Sequence, residues 1–313
     1  AQVKYRVVRE VQMPWWWSWG CRGRPSRLGQ SKEIAHSTLT SNNDGTFEIR
    51  FTAVPDPQIP EKDEPTFPYH IFADVTDSAG ETGSAERFVR VGYTALEARL
   101  AANDWQTSSE DVQLNITTRT LDDEPAIAEG NVKIYELIAP ANVHRPPITP
   151  EYYAYLEDDS DDDDAPGKDL SRHENWPLGK VIAEKGFTTD TNGNSTIAFR
   201  LPVGAFRALL ETQDRFGKKV TGRLTVEVFN PADRSLAIKI PQVLASPAWE
   251  VLPGQEFMAL WGTGYDTGRA FDEIEQRGRF LQRFWTDRDH TQQQIPVAVV
   301  ETMRGGFTMH VTY

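Results

Sequence analysis

Four tryptophans stand within five positions in Met13-Pro14-Trp15-Trp16-Trp17-Ser18-Trp19. An indole has a broad apolar face and one polar N–H, so such a run can stack on sugar rings or lie at a membrane interface. The favoured reading is a loop folded against its own sandwich or a neighbouring module. A glycan-binding surface made of Trp15, Trp16, Trp17 and Trp19 is the competing one. On a strand, Trp15, Trp17 and Trp19 would share one face and Trp16 would take the other.

The run Asp158-Asp159-Ser160-Asp161-Asp162-Asp163-Asp164 has carboxylates enough for Ca²⁺ but lacks the glycine and terminal glutamate of an EF-hand loop. Like charges at this density repel one another and stay solvated. His36, His70, His144, His173, His290 and His310 are scattered, with no H-x-x-x-H pair and no cysteine at zinc spacing. No G-x-S-x-G elbow and no phosphate-binding glycine loop ending in Lys-Ser/Thr occurs. The residues therefore point to a chain that is not an enzyme, with no catalytic residues, no metal site and no cofactor.

The elements around these candidates are strands. Nearly every ordered stretch is four to eight residues long, with β-branched or aromatic residues at alternate positions between Gly, Pro, Asn and Asp clusters. Only Gly204-Ala205-Phe206-Arg207-Ala208-Leu209-Leu210 reads as helix or strand alike. At 313 residues the chain has room for two or three domains, each with its own core. With 33 basic against 46 acidic residues, the net charge of -13 repels phosphate backbones, so no nucleic acid partner is expected. No run is long and apolar enough to insert in a membrane directly. A single cysteine, Cys21, excludes an internal disulfide.

Several strand-turn-strand units recur in the same order. Leu39-Thr40-Ser41-Asn42-Asn43-Asp44-Gly45-Thr46-Phe47-Glu48-Ile49-Arg50-Phe51 aligns with Phe187-Thr188-Thr189-Asp190-Thr191-Asn192-Gly193-Asn194-Ser195-Thr196-Ile197-Ala198-Phe199. Phe72-Ala73-Asp74-Val75-Thr76-Asp77-Ser78-Ala79-Gly80-Glu81 aligns with Leu209-Leu210-Glu211-Thr212-Gln213-Asp214-Arg215-Phe216-Gly217-Lys218. Ahead of both, Val3-Lys4-Tyr5 is matched with Val132-Lys133-Ile134. On that match the interval to the glycine turn is 42 residues in the first copy and 61 in the second, which places an insertion containing the acidic run. The second copy also has leading strands, between Tyr93 and Glu129, that the first lacks.

A further unit opens at Leu252-Pro253-Gly254-Gln255-Glu256, with Ala259 to Trp261 and Arg269 to Ile274 as successive strands and Phe307-Thr308-Met309-His310-Val311 as a last one. Within it, alternation along Arg277-Gly278-Arg279-Phe280-Leu281-Gln282-Arg283-Phe284-Trp285 sets Arg279, Leu281 and Arg283 on one face and Phe280, Gln282 and Phe284 on the other.

Ala73-Asp74-Val75-Thr76-Asp77-Ser78-Ala79-Gly80-Glu81-Thr82, Asp214-Arg215-Phe216-Gly217 and Pro253-Gly254-Gln255-Glu256-Phe257-Met258-Ala259-Leu260-Trp261, in this order, resemble the macroglobulin-like domains of the bacterial alpha-2-macroglobulin family. The last segment looks like the start of that family's bait-region domain. The resemblance implies an all-β chain of tandem antiparallel fibronectin-like or immunoglobulin-like β-sandwiches. It also implies a multidomain endopeptidase inhibitor, a trap whose bait segment a protease cuts. Cys21 sits in Gly20-Cys21-Arg22-Gly23-Arg24, without the Glu-Gln that the family's thioester needs, so capture chemistry is expected outside these residues.

The expected organisation is a macroglobulin-like sandwich over 1–93 lacking its first strands, and a second over 94–242 with the acidic insertion near 150–175. The leading part of a bait-region-type domain then covers 243–313. The expected function is that of a non-catalytic scaffold, extracytoplasmic by resemblance. It meets proteases through a full-length parent and otherwise contacts neighbouring domains of the same chain. The alternative is a cell-surface adhesion or glycan-binding stalk that uses the Trp15 to Trp19 cluster.

Overall fold

The structure, a computed structural model, describes residues 1–14, 31–146 and 169–313. The described chain is a series of antiparallel sheets, as the period-two alternation predicts. The segment from Gly204, open to helix or strand in the sequence, is a strand, since its alternate side chains enter a core between two sheets.

Strands β1 (Gln2–Arg9), β2 (Lys32–Thr40), β3 (Thr66–Thr76) and β4 (Thr82–Gly92) form a sheet in the order β2-β1-β3-β4. β5 (Leu96–Ala101), β6 (Val112–Thr120) and β9 (Asn194–Phe199) form a second sheet. Facing it is a third, ordered β11-β10-β7-β8, made of β7 (Glu129–Leu137), β8 (Leu178–Thr188), β10 (Gly204–Gln213) and β11 (Lys219–Val228). Leu100, Leu114, Ile116 and Phe199 from one face meet Val132, Ile134, Phe206 and Leu210 from the other in one core. This is a three-plus-four sandwich of immunoglobulin type. The first sheet has the strand order of the four-stranded half of this sandwich, so the recurrence in the sequence is a recurrence in space.

The recurrent turns are one device used four times. In the β3–β4 hairpin Asp77 N–H donates to Glu81 O (2.9 Å), and Asp77 Oδ1 accepts the Ala79 and Glu81 N–H groups (2.8 and 3.0 Å). Asp214 makes the same set with Lys218 and Phe216, and Asp190 the same with Asn194 and Asn192. At Asn42 the backbone bonds are Asn42 N–H to Thr46 O (2.7 Å) and Gly45 N–H to Asn42 O (3.0 Å), while the side chain turns to Thr46. The left-handed residue is glycine each time; Gly80 has φ 86° and Gly217 φ 77°, values costly for any residue with a Cβ.

Register corrects one equivalence. Val3 pairs with Leu39 and Val75, whereas the residue pairing with Phe187 and Thr212 is Gly130. Val3 therefore corresponds to Gly130 and not to Val132, and Tyr5 and Val7 correspond to Val132 and Ile134. A second correction concerns residues 46–51. Their equivalent, β9, is a ladder strand on β6, but 46–51 belong to no ladder. They run across the first sheet, and Phe51, with Ala53 just beyond it, packs against Val7, Phe67 and Tyr69.

Downstream, β12 (Val243–Ala245), β13 (Glu256–Gly262) and β16 (Gln292–Ala298) face β14 (Phe271–Gln276), β15 (Arg279–Trp285) and β17 (Thr308–Thr312). Phe257, Ala259, Trp261, Ala270, Ile274, Ile295 and Val297 fill the space between them. The expected alternation on β15 fails at one point. Ile274 pairs with Gln282 but Glu275 pairs with Phe280, so Leu281 is an extra residue and the strand bulges. Phe280 thereby comes to the face of Arg283, whose guanidinium lies 3.6 Å from its ring centroid. Among the described residues no helix is long and apolar enough to cross a membrane.

Candidate functional site

Polar side chains from distant parts of the chain converge where the first sheet meets the sandwich behind it. The turn that closes β10–β11 positions them. Asp214 Oδ1 is occupied within its own hairpin, and Oδ2 accepts the N–H of Ala95 (2.8 Å), at the entry to β5. Burial pushes the Asp214 carboxyl up. Backbone donors at Ala95, Lys218 and Phe216 outweigh that and hold it below the ordinary carboxylate value.

From the first sheet, the loop before β3 brings two glutamates. Glu61 pairs with Lys218 at 2.8 Å, and the Thr221 hydroxyl donates to Glu64 Oε1 at 2.9 Å. Glu64 takes the left-handed backbone, φ 49°, which turns its side chain onto β11. Burial raises its pKa, opposed by the Thr221 hydrogen bond and by Arg223 and Lys219. Beside it is a cavity of about 90 Å³, lined by Gln12, Met13, Glu64, Glu97, Arg99 and Thr221 among others. That volume holds a few waters. Among the described residues the lining brings carboxylate, hydroxyl and guanidinium side chains together, with no histidine, cysteine or serine.

The next junction is built differently. Leu137, Trp176, Ala205 and Phe229 of the seven-stranded sandwich share a buried cluster with Leu236, Ile238, Ile240, Val243 and Leu260. Polar contacts border it: Trp249 Nε1 donates to Asp104 (2.7 Å), and Gln292 Nε2 donates to the carbonyls of Asn230 and Asp233. The first junction is thus held by hydrogen bonds and ion pairs, the second by an apolar core.

Trp15, Trp16, Trp17 and Trp19 lie outside the described residues, as do Cys21 and the acidic run. Met13 and Pro14, which precede the tryptophans, line the junction cavity. The histidines are not brought together. His36, His70, His173, His290 and His310 each face a carboxylate, Glu33, Glu86, Glu227, Asp287 and Glu275 respectively, in separate parts of the fold. Among the described residues no three His, Cys, Asp or Glu side chains group as metal ligands.

Three polar arrangements went unread in the sequence. Arg9, nearly fully buried in β1, donates to Val54 O (3.0 Å) and pairs with Asp56 (2.5 Å), while the Tyr69 hydroxyl also donates to Val54 O. Arg207 on β10 donates to the His173 and Glu174 carbonyls and fastens the downstream end of the long insertion to the sheet. Burial raises the pKa of Glu227 beside them, opposed by His173. Asp272 lies between Ala270 and Ile274 in the core of the last sandwich, with neither carboxylate oxygen hydrogen-bonded. Only an arginine or aspartate at an inward strand position could have signalled the first and third.

No protein-family model matches the chain, and no curated protein matches it. Among solved structures it is similar to Salmonella alpha-2-macroglobulin reacted with methylamine. The identity is 11% and the TM-score 0.31, over 98% of this chain and 19% of that one. It is similar to the native conformation of E. coli alpha-2-macroglobulin at 9% identity and TM-score 0.30, over 100% of this chain and 20% of that one. A tetra-tandem repeat from the extending region of a large adhesion protein is similar at 12% identity and TM-score 0.24, over 99% of this chain and 62% of that one. The chain spans about a fifth of the length of the two macroglobulins.

Proposed function

We propose that this chain is a scaffold section of a bacterial alpha-2-macroglobulin-like endopeptidase inhibitor, working outside the cytoplasm within a longer parent whose trapping chemistry lies elsewhere. The observation that carries the scaffold part is the pair of specific junctions. Glu61 and Glu64 from the first sheet bond Lys218 and Thr221 of the sandwich, and Leu260 enters a core shared with the preceding sandwich. Side chains spent on fixing one sandwich against the next suit a role in transmitting position. The inhibitor part rests on the Asp-x-x-Gly hairpins and the segment from Pro253 to Trp261. Its partners are then neighbouring domains and, through the parent, proteases.

The test compares chain and parent. The chain alone leaves trypsin-like cleavage of a small peptide substrate unchanged, and the parent co-elutes with the protease on gel filtration. Slowed cleavage by the chain alone, or failure of the parent to retain the protease, overturns the reading. Locked sandwiches suit a surface stalk as well, one that would carry the run from Trp15 to Trp19. On that reading the run contributes glycan binding, and a glycan array separates the two.

A further inference from the structure

A single 3-10 turn, His173–Asn175, stands between two parts of the molecule. On the side of the second joint, the chain around it supplies Trp176. That residue is 3% exposed and lies in the core shared with Leu236, Ile238, Ile240 and Leu260, against which Leu170 also packs. The segment is bonded within itself. Asp169 Oδ1 accepts the Ser171 N–H (3.0 Å), Trp176 Nε1 donates to Leu170 O (2.9 Å), and the Asn175 and Trp176 N–H groups donate to Arg172 O and His173 O. Residues 169–176 therefore act as one piece, and Trp176 is part of it.

On the side of the sheet, charge holds this piece. His173 Nε2 lies 3.2 Å from Glu227 Oε1 on β11 and 3.7 Å from Glu174 Oε1, and its ring stands edge-on to Trp176 with centroids 6.2 Å apart. The side chains of His173, Glu227 and Glu174 are 18%, 22% and 26% exposed, so they are shielded from bulk water without being sealed from protons. Arg207 of β10 donates to the His173 and Glu174 carbonyls, and Arg172 stands 3.9 Å from Glu174. Tyr135 of β7 is the cross-strand partner of Arg207, and Lys239, on the segment of the last sandwich that shares the core, is turned to Asp266. Glu227 and Glu174 repel each other, and the imidazole between them carries the charge that offsets this.

We propose that His173 is a pH-operated latch on the second joint. As an imidazolium it ties residues 169–176 to β11 and keeps Trp176 seated in the shared core. As a neutral ring it leaves two carboxylates facing each other, and the piece loosens. Histidine changes charge within the physiological range, which suits it to such a switch. Burial acts in the same direction at Glu227, where it raises the pKa and makes the ionised form the costly one. Both effects leave the latch tight at acidic pH and weaken it as pH rises. It is a property of this joint in either reading of the parent.

The test is amide hydrogen exchange of the full chain at about pH 5.5 and about pH 8, corrected for the intrinsic exchange rate at each. Protection of the Asn175 and Trp176 amides is expected to be about threefold to tenfold lower at the higher pH, with a fall in the same direction at residues 236–245 across the core. Glu227→Gln, which keeps the shape and removes the charge, is expected to abolish most of that dependence. His173→Gln is expected to show the alkaline level of protection at both pH values. Equal protection of the unaltered chain at the two pH values overturns the proposal, as does an undiminished pH dependence in Glu227→Gln. A pH dependence confined to residues 169–176 overturns the coupling to the joint.

Discussion

Arg9 and Asp56 meet at 2.5 Å with the arginine almost wholly buried, and this pair fastens the loop after residue 53 to the first sheet. Arg9 Nη1 also donates to Val54 O, so one guanidinium holds two points of the same segment. Removing one member of such a pair leaves the other buried and uncompensated. Asp56→Ala is expected to cost about 3–5 kcal/mol of the first sheet's stability. The check is urea unfolding followed by hydrogen exchange in β1 and β3, and a loss under about 1 kcal/mol would show that the pair is solvated.

Asp272 makes the last sandwich sensitive to pH. Burial raises its pKa from 3.8 to about 6, with no charged neighbour contributing. A folded pKa above the unfolded one means that stability is full below about pH 4, falls as pH rises through 6 and is flat beyond. Asp272→Asn is expected to remove that slope and to raise stability at pH 7.5 by about 1–3 kcal/mol. Thermal melts of both proteins at pH 4 and 7.5 measure it, and parallel pH curves would contradict it.

Asp77 and Asp214 close equivalent hairpins, but only Asp214 reaches a third donor, Ala95 N–H. Asp214→Ala is expected to cost about 1–3 kcal/mol and Asp77→Ala less. The Ala95 amide gains exchange only in the first variant. Because the Asp214 pKa is depressed, its contribution is present above the ordinary carboxylate value and is lost as pH falls through the folded one. Equal losses in the two variants would mean that the Ala95 bond adds nothing.

Leu260 is fully buried in the cluster shared by two sandwiches. Leu260→Ala is expected to cost about 2–5 kcal/mol, the range for a core leucine. Since the cavity opens between sandwiches, exchange rises on both sides, near Phe229 and near Val243 together. A rise confined to β13 would contradict the shared core.

The turns were legible in the sequence because their chemistry is local. Asp190 and Asp214 satisfy N–H groups two and four residues on, so residue types at short spacing specify them. The match of Val3 with Val132 went astray because a strand repeats every two residues, and a slip of two leaves every side chain on its proper face. Alternation could not reveal the bulge at Leu281, which breaks that period by one. Residues 46–51 carry a strand pattern, yet a ladder also needs a neighbour. The junction was illegible for a different reason. Glu64 and Thr221 meet across 157 positions of the chain, and neither residue is unusual where it stands.

The contrast between the two junctions has a mechanical meaning. A tension applied along the chain loads a few hydrogen bonds and ion pairs at Ala95, Glu61 and Glu64, but at Leu260 it must pull apart a dry core. Water can substitute for the first set one bond at a time, whereas the core resists until it yields as a whole. The polar joint is therefore the compliant element and the apolar joint the stiff one. Under load the joint beside the cavity lined by Met13 and Glu64 is therefore expected to give before the one at Leu260.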